Sequence, residues 1–339
     1  MRLRAGLDIG GTKTAALIVD DTGCHLSEVV RPTDISTPER LVECVAETVD
    51  LALLEAGTTR SDLIGAGVGV PGQVDPQHGS VRLAVNLNLS GPYPLAAALG
   101  SALGVPVTLE NDVRAAAWGA FHWVQDTEPV RSLAYLSIGT GIAAGLVLDG
   151  RLYRGAHDMA GEIGHISVDP AGPRCLCGAY GCLEAVAAGP AIAAYAAGVF
   201  PDDGQPLTTE AVYALAIQGD SLARHVVDRA SFFLARAVYL LVMTYDVEKV
   251  VLGGGVTRAG DGFEKPLKKA LADMRADSAL AATMLPDGLI SVVPPNYNAG
   301  LIGAVLIAPD AIPDYPAGGD KDREDEKRGM TVGLLNETV

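Results

Sequence analysis

The sequence predicts an α/β protein of two related domains, and three observations carry that expectation. Apolar strand-like runs alternate with amphipathic helical runs along the chain. The opening strand-turn-strand pattern returns about 129 residues later. The 339 residues are 49% hydrophobic, enough to bury a large core and to exclude a chain that is disordered throughout.

Taken in order, "AGLDIGGTKTAALIVDDTGCHLSEVV" reads as two or three β-strands joined by tight turns, and "LVECVAETVDLALLEAG" (41–57) as an amphipathic helix. "IGAGVGVPGQVD" (64–75) is an apolar strand running into a glycine-proline loop. "VPVTLEND" (105–112) is a strand ending in acidic residues, and "VRAAAWGAFHWV" continues it as a helix. The stretches "DIGGTKTAALIVDDTG" (8–23) and "SIGTGIAAGLVLDGRL" (137–152) share a strand, a glycine-threonine turn, a small-residue strand and a polar hairpin. Such an echo suggests two related domains with a cleft between them; chance likeness of two glycine-rich hairpins is the alternative. Helices follow across 190–246, then the strand "KVVLGGGV" (249–256) and a closing helix near 298–308.

Charge and hydropathy narrow the function classes. The net charge is −16, from 25 basic and 41 acidic residues, with no basic stripe, so nucleic acid is not an expected partner. An anionic nucleotide stays compatible if backbone N–H groups, a helix N-terminus and a divalent cation attract it locally. The apolar run "SFFLARAVYLLVMTYDV" (231–247) carries Arg236 at its middle and falls short of the roughly 18 uncharged residues a bilayer crossing needs, so it reads as a buried helix. The N-terminus lacks the apolar core of a secretory signal. No membrane partner and a cytoplasmic location are expected.

The segment "GEIGHISVDPAGPRCLCGAYGCLEAV" (161–186) holds three of the five cysteines. A disulfide framework fits poorly, because the count is odd and a C-x-C pair is too close for an ordinary bridge. His165, Cys175, Cys177 and Cys182 instead give H-x9-C-x-C-x4-C, one imidazole and three thiolates, which suits a closed structural Zn²⁺ site. Gly178 and Gly181 let the chain turn around the ion. Cys24 and Cys44 read as buried small residues. A closed site shapes a loop and performs no chemistry, so the groups on that loop matter: Glu162, His165 and Glu184 form either a hydrogen-bonding cluster for a polyhydroxylated ligand or a solvated edge. Asp112 is open to two readings as well, a proton acceptor at a strand end or a cap on the following helix.

Together "DIGGTKT", "GVPGQVD", "ENDVRAAAWGA", "SIGTGIAAGLVLDGRL", "GEIGHI" and "CLCGAYGCLE", in this order, resemble the ROK family of sugar kinases and sugar-responsive repressors, within the actin-like ATPase superfamily. The resemblance spans roughly residues 3–308. It implies two RNase H-like domains: residues 1–113 with a helix at 299–310 packing back, and residues 114–298 with the zinc loop. An acidic tail, 311–339, is expected to be disordered. It also implies ATP, Mg²⁺ and structural Zn²⁺ as cofactors, a hexose as substrate, and a homodimer or higher homo-oligomer.

The resemblance makes Asp112 the general base and Asn86, Asn111, Asp112, Glu162, His165 and Glu184 the sugar ligands. Gly10, Gly11, Thr12 and Lys13 in the first turn and Gly139, Thr140 and Gly141 in the second would face the phosphates, with Gly253, Gly254 and Gly255 against adenosine and Asp8 beside hydrated Mg²⁺. Three departures blur which sugar is bound. Leu89 and Ser90 stand where the family has glycine-tryptophan, Arg114 where it has asparagine, and Ala120 where it has glutamate. The expected activity is phosphorylation of a hexose at its 6-hydroxyl, with glucose leading. N-acetylmannosamine, N-acetylglucosamine, glucosamine and fructose are alternatives. A non-catalytic repressor is disfavoured: the resemblance implies a helix-turn-helix ahead of the first strand, and here the phosphate-turn strand starts near residue 3.

Overall fold

The computed structural model describes residues 2–200 and 207–309; the acidic tail expected at 311–339 lies outside the described residues. The chain forms two compact units. Among the described residues, one takes those up to Pro129 together with 298–309, and the other is Val130–Tyr297.

In the first unit the chain runs β1 (Leu3–Ile9), β2 (Lys13–Val19), β3 (His25–Pro32), α1 (Pro38–Glu55), β4 (Leu63–Val70), the small hairpin β5 (Gln73–Asp75) and β6 (Ser80–Leu83), α2 (Leu95–Leu103), β7 (Val107–Asn111) and α3 (Asp112–Gln125). Helix α1 starts three residues before the expected run because Thr37 caps it, accepting from the Arg40 N–H, and Pro38 fits the first helical position. Its buried stripe of Leu41, Val45, Val49 and Ala52 keeps helical spacing. The sheet order is β3-β2-β1-β4-β7. The first two pairings are antiparallel, and β1–β4 and β4–β7 are parallel. Parallel neighbours end on the same side, so Asp8 aligns with Gly69, and Val70 with Asn111. Chemistry-bearing ends of β1 and β7 thus share one sheet edge.

The second unit contains β8 (Leu133–Ile138), β9 (Ile142–Leu148), β10 (Arg151–Tyr153), α4 (Leu183–Ala187), α5 (Gly189–Val199), α6 (Thr209–Gln218), α7 (Ser221–Tyr245), β11 (Lys249–Gly253), α8 (Asp261–Asp277), α9 (Ala279–Met284) and β12 (Ile290–Val292). Its sheet order, β10-β9-β8-β11-β12, repeats the first sheet's plan of three antiparallel strands followed by two parallel ones. Strands β2 and β9 keep the offset of about 129 residues at both ends. The internal echo is therefore structural.

Helix α7 is longer than the apolar run 231–247. Asp220 caps it, so the helix starts ten residues before that run, and its opening turns bury Ala223, Val226 and Val227 on one face only. Arg236 is exposed, lying over the Phe232 ring. No helix among the described residues is long and apolar enough to cross a membrane.

The last described helix, α10 (Ala299–Ile307), returns to the first unit and packs on α3, β1 and β4. Backbone meets backbone there: a Cβ at Gly303 would overlap the Ala115 carbonyl, and one at Gly67 the Ala304 carbonyl. This packing moves the division between units to 129/130 in place of 113/114, because α3 is held by α10 and stays with the first sheet. Cys44 is buried as expected, whereas Cys24 sits half-buried in the β2–β3 turn.

Candidate active site and metal centre

In the first unit, the β1–β2 turn carries Gly10, Gly11, Thr12 and Lys13. Its geometry is fixed by the Gly10 N–H donating to the Lys13 carbonyl at 2.9 Å. A Cβ on Gly11 would overlap the Asn86 carbonyl, so this turn rests directly on the short 3-10 turn Val85–Leu87. The Asn86 side chain is exposed beside it. Asn88, its near neighbour, is left-handed (φ 57) and its amide reaches the Ile35 carbonyl at 3.5 Å.

The cap question at Asp112 resolves in favour of its neighbour. Asn111 is the N-cap: its Oδ1 accepts from the Val113 and Arg114 N–H groups at 3.1 and 3.2 Å, and its Nδ2 donates to the Gly72 carbonyl at 3.3 Å. Both ends of that amide are engaged within the chain, which gives Asn111 a positioning task before any ligand contact. Asp112 is the first helical residue, half-buried, with Oδ1 accepting from the Val113 N–H at 2.9 Å. Asp8 lies close enough for the two carboxylates to repel. Burial first, and the Asp112 charge second, push the Asp8 carboxyl up to about 6, while Lys13 draws it back. A divalent cation at this edge would offset both effects, so the donor set fits Mg²⁺.

In the second unit, the turn Gly139, Thr140 and Gly141 joins β8 to β9. The Gly139 N–H donates to the Gly141 carbonyl at 2.9 Å, and the Gly139 carbonyl accepts from the Gly189 N–H at 2.9 Å. Beside it, Gly254 is left-handed (φ 95), so close that a Cβ would overlap the Ile138 backbone. The Gly255 nitrogen is 3.8 Å from where a Gly139 Cβ would sit. The two glycine turns therefore adjoin at the carboxyl ends of parallel β8 and β11. Gly253 is the first of the triplet expected against adenosine. It is still strand, buried under the Tyr135 ring.

The cysteine segment closes on itself. His165, Cys175, Cys177 and Cys182 bring their ligand atoms within 4.8 Å of one another. Cys175 Sγ is 3.7 Å from His165 Nδ1, and Cys177 Sγ is 3.6 Å from Cys182 Sγ. A tetrahedron with Zn–S near 2.3 Å has an edge of about 3.7 Å, so the spacing fits zinc. Left-handed Gly178 and Gly181 (φ 97 and 63) make the turns, and a Cβ on Gly181 would overlap the Asp169 carbonyl. With Nδ1 facing the thiolates, Nε2 lies on the far side of the ring. Glu162 is exposed at the head of the 3-10 turn Ile163–His165. Glu184, half-buried in α4, accepts from the Ile142 N–H through Oε2 at 3.0 Å.

The site residues thus fall into two groups, one in each unit. The family model described as ROK family matches residues 4–311. The chain belongs to the ROK family. A glucokinase from Halalkalibacterium halodurans is 33% identical over 316 residues, covering 89% of this chain and 93% of that protein. An N-acetylmannosamine kinase from Salmonella paratyphi A is 32% identical over 306 residues, covering 89% and 97%. Among solved structures, a ROK family glucokinase from Streptomyces griseus in complex with glucose and AMPPNP is 28% identical, with a TM-score of 0.71, covering 89% of this chain and 97% of that one. The mixed α/β fold is that of ROK actin-like ATPases.

This ROK chain also carries a buried ion pair that no motif announces. Glu110, at the head of "END", and Arg114 form a buried ion pair, 1% and 3% exposed, with Nε to Oε1 at 2.6 Å. The same Oε1 accepts from the Asn111 N–H at 2.9 Å, so the pair anchors the cap beside Asp112. The i,i+4 glutamate-arginine spacing was the available signal. Arg114→Ala should destabilise the protein by about 3–5 kcal/mol, because it strands a buried carboxylate. Chemical denaturation would show it as a lower midpoint at unchanged slope; an unaltered midpoint would contradict the anchoring role.

Proposed function

We propose that this chain transfers the γ-phosphoryl group of ATP to the 6-hydroxyl of a hexose, glucose before others, with Asp112 as the general base. The chain is a sugar kinase of the ROK family; the finer assignment rests chiefly on the placement of Asp112. Its carboxylate opens α3 at the sheet edge that also carries Asp8 and the first glycine turn, while Asn111 does the capping. A helix N-terminus favours the ionised form that can take a proton.

In this reading the sugar is held by Asn86, Glu162, His165 and Glu184, with Asn111 fixing the orientation of Asp112. The 6-hydroxyl gives its proton to Asp112 as its oxygen attacks the γ-phosphorus, and the bond to the β,γ-bridging oxygen breaks to leave ADP. Gly10, Gly11, Thr12 and Lys13 and the turn Gly139–Gly141 would steady the phosphates through backbone N–H groups, the Thr12 and Thr140 hydroxyls and the Lys13 ammonium. Gly254 and Gly255 would lie against adenosine. Mg²⁺, held through Asp8, supplies charge neutralisation to the phosphates when bound. Zn²⁺ at His165, Cys175, Cys177 and Cys182 would be structural, since four protein ligands fill its tetrahedron.

Near-equal identity to a glucokinase and an N-acetylmannosamine kinase keeps the second sugar as an alternative substrate. A coupled ADP-release assay with Mg-ATP against glucose, N-acetylmannosamine, N-acetylglucosamine, glucosamine and fructose decides between them. Glucose should give the highest kcat/KM. A higher value for another sugar reassigns the substrate, and no sugar-dependent ADP release would end the kinase reading.

A further inference from the structure

We infer that Glu184 is a positioning residue for nucleotide: it ties the metal-holding segment to the second glycine turn, so that this segment governs nucleotide affinity as well as sugar affinity. The inference rests on the kinase reading above and deepens it.

The connection is built from both sides of one residue, Ile142, where β9 leaves the turn. Its N–H donates to Glu184 Oε2 at 3.0 Å across 42 residues of sequence. On its carbonyl side stands Gly164, next to the ligand His165, where a Cβ would overlap the Ile142 oxygen. Two residues on, the Ala144 N–H donates to the Gly161 carbonyl at 2.8 Å. The start of β9 is thus docked along the segment that precedes the histidine ligand.

Glu184 is itself held by the metal-ligating chain. Cys182 is fully buried and caps α4, and it bridges to Ser167 in antiparallel fashion. Leu183, also fully buried, donates its N–H to the Ile166 carbonyl at 3.0 Å. Closure of the four ligands therefore fixes where Glu184 stands, two residues past Cys182. Its carboxylate fills the space behind the turn: a Cβ on Gly141 would come within 2.5 Å of Oε2. The far end of the turn is held by the same stretch of chain, through the Gly189 N–H on the Gly139 carbonyl.

This arrangement selects the donors left for a phosphate. The Gly139 and Ile142 N–H groups are used within the chain. Thr140 and Gly141 supply the remaining amides of the turn, and their direction follows from the two anchors. A carboxylate has two oxygens. Oε2 serves the turn, and Oε1 is the atom for a sugar hydroxyl, so a single side chain links the two substrates.

The test is calorimetric titration of full-length protein with a Mg²⁺-loaded, non-hydrolysable ATP analogue, without sugar. Glu184→Ala should weaken binding about tenfold, the weight of one hydrogen bond to a charged acceptor. Glu184→Gln, whose amide oxygen still accepts, should restore affinity to near the wild-type value. Glu162→Ala should weaken glucose binding and leave analogue affinity unchanged. Removing the metal from folded protein should weaken the analogue to the same degree, with no further loss in Glu184→Ala. Should Glu184→Ala fail to fold, Gly141→Ala, which displaces Oε2, must show the same weakening. Wild-type affinity in Glu184→Ala or in Gly141→Ala, or full additivity with metal removal, overturns the inference while leaving the kinase reading intact. A wild-type protein that binds no analogue overturns the kinase reading itself.

Discussion

Asp112→Asn should lower turnover by about two to four orders of magnitude while both substrates still bind. The asparagine is nearly isosteric, and its side-chain oxygen can still accept from the Val113 N–H as Asp112 does at 2.9 Å. The α3 cap is provided by Asn111, with Glu110 and Arg114 behind it, and none of these is altered. What disappears is the proposed proton acceptor. A second effect follows at Asp8, whose carboxyl is held up at about 6 partly by the Asp112 charge and should fall when that charge is removed. Steady-state kinetics combined with calorimetry separates the effects: kcat collapses and dissociation constants hold. Turnover within tenfold of wild type would remove Asp112 from the proposed role.

Loss of the metal should be the most damaging structural change. Protein purified without added metal should contain about one zinc per chain, and Cys182→Ser should abolish that content together with sugar affinity. Cys182 is fully buried, its Sγ 3.6 Å from Cys177 Sγ and 3.4 Å from the His165 carbonyl, so it sits at the centre of the cluster. The surrounding segment has short bridges and turns in place of long strands or helices, and metal bonds would replace the core it lacks. Elemental analysis and thermal melting with and without a chelator check this. A metal-free protein with full activity and an unchanged melting point would refute it.

Much of this was legible because chemistry and geometry leave marks on spacing. The four ligand candidates were visible from H-x9-C-x-C-x4-C, and they converge in space. The repeat of "DIGGTKT" in "SIGTGIA" announced two sheets of one plan: both strand pairs are antiparallel, with registers one residue apart. The attachment of α3 to the first sheet is not legible, because a helix's partner lies far away in sequence: nothing near residue 112 reveals that α3 will meet α10. The strand read over 249–256 ends at Gly253, where the bond pattern stops, and the next two glycines leave the sheet. The buried pair of Glu110 and Arg114 stayed hidden, since burial of a charge depends on what packs over it. Glu184 reads as a ligand residue from its place beside Cys182, and its bond to Ile142 depends on a loop closure that spacing does not describe.

Helix α10 also sets the order of events during synthesis. Gly6, Gly67, Gly119 and Gly303 bring backbones together only once residues 299–307 exist. All of Val130–Tyr297 leaves the ribosome before that helix does. The inserted unit can therefore mature first, and the first sheet must wait, its central strands uncovered, for a helix translated after that whole unit.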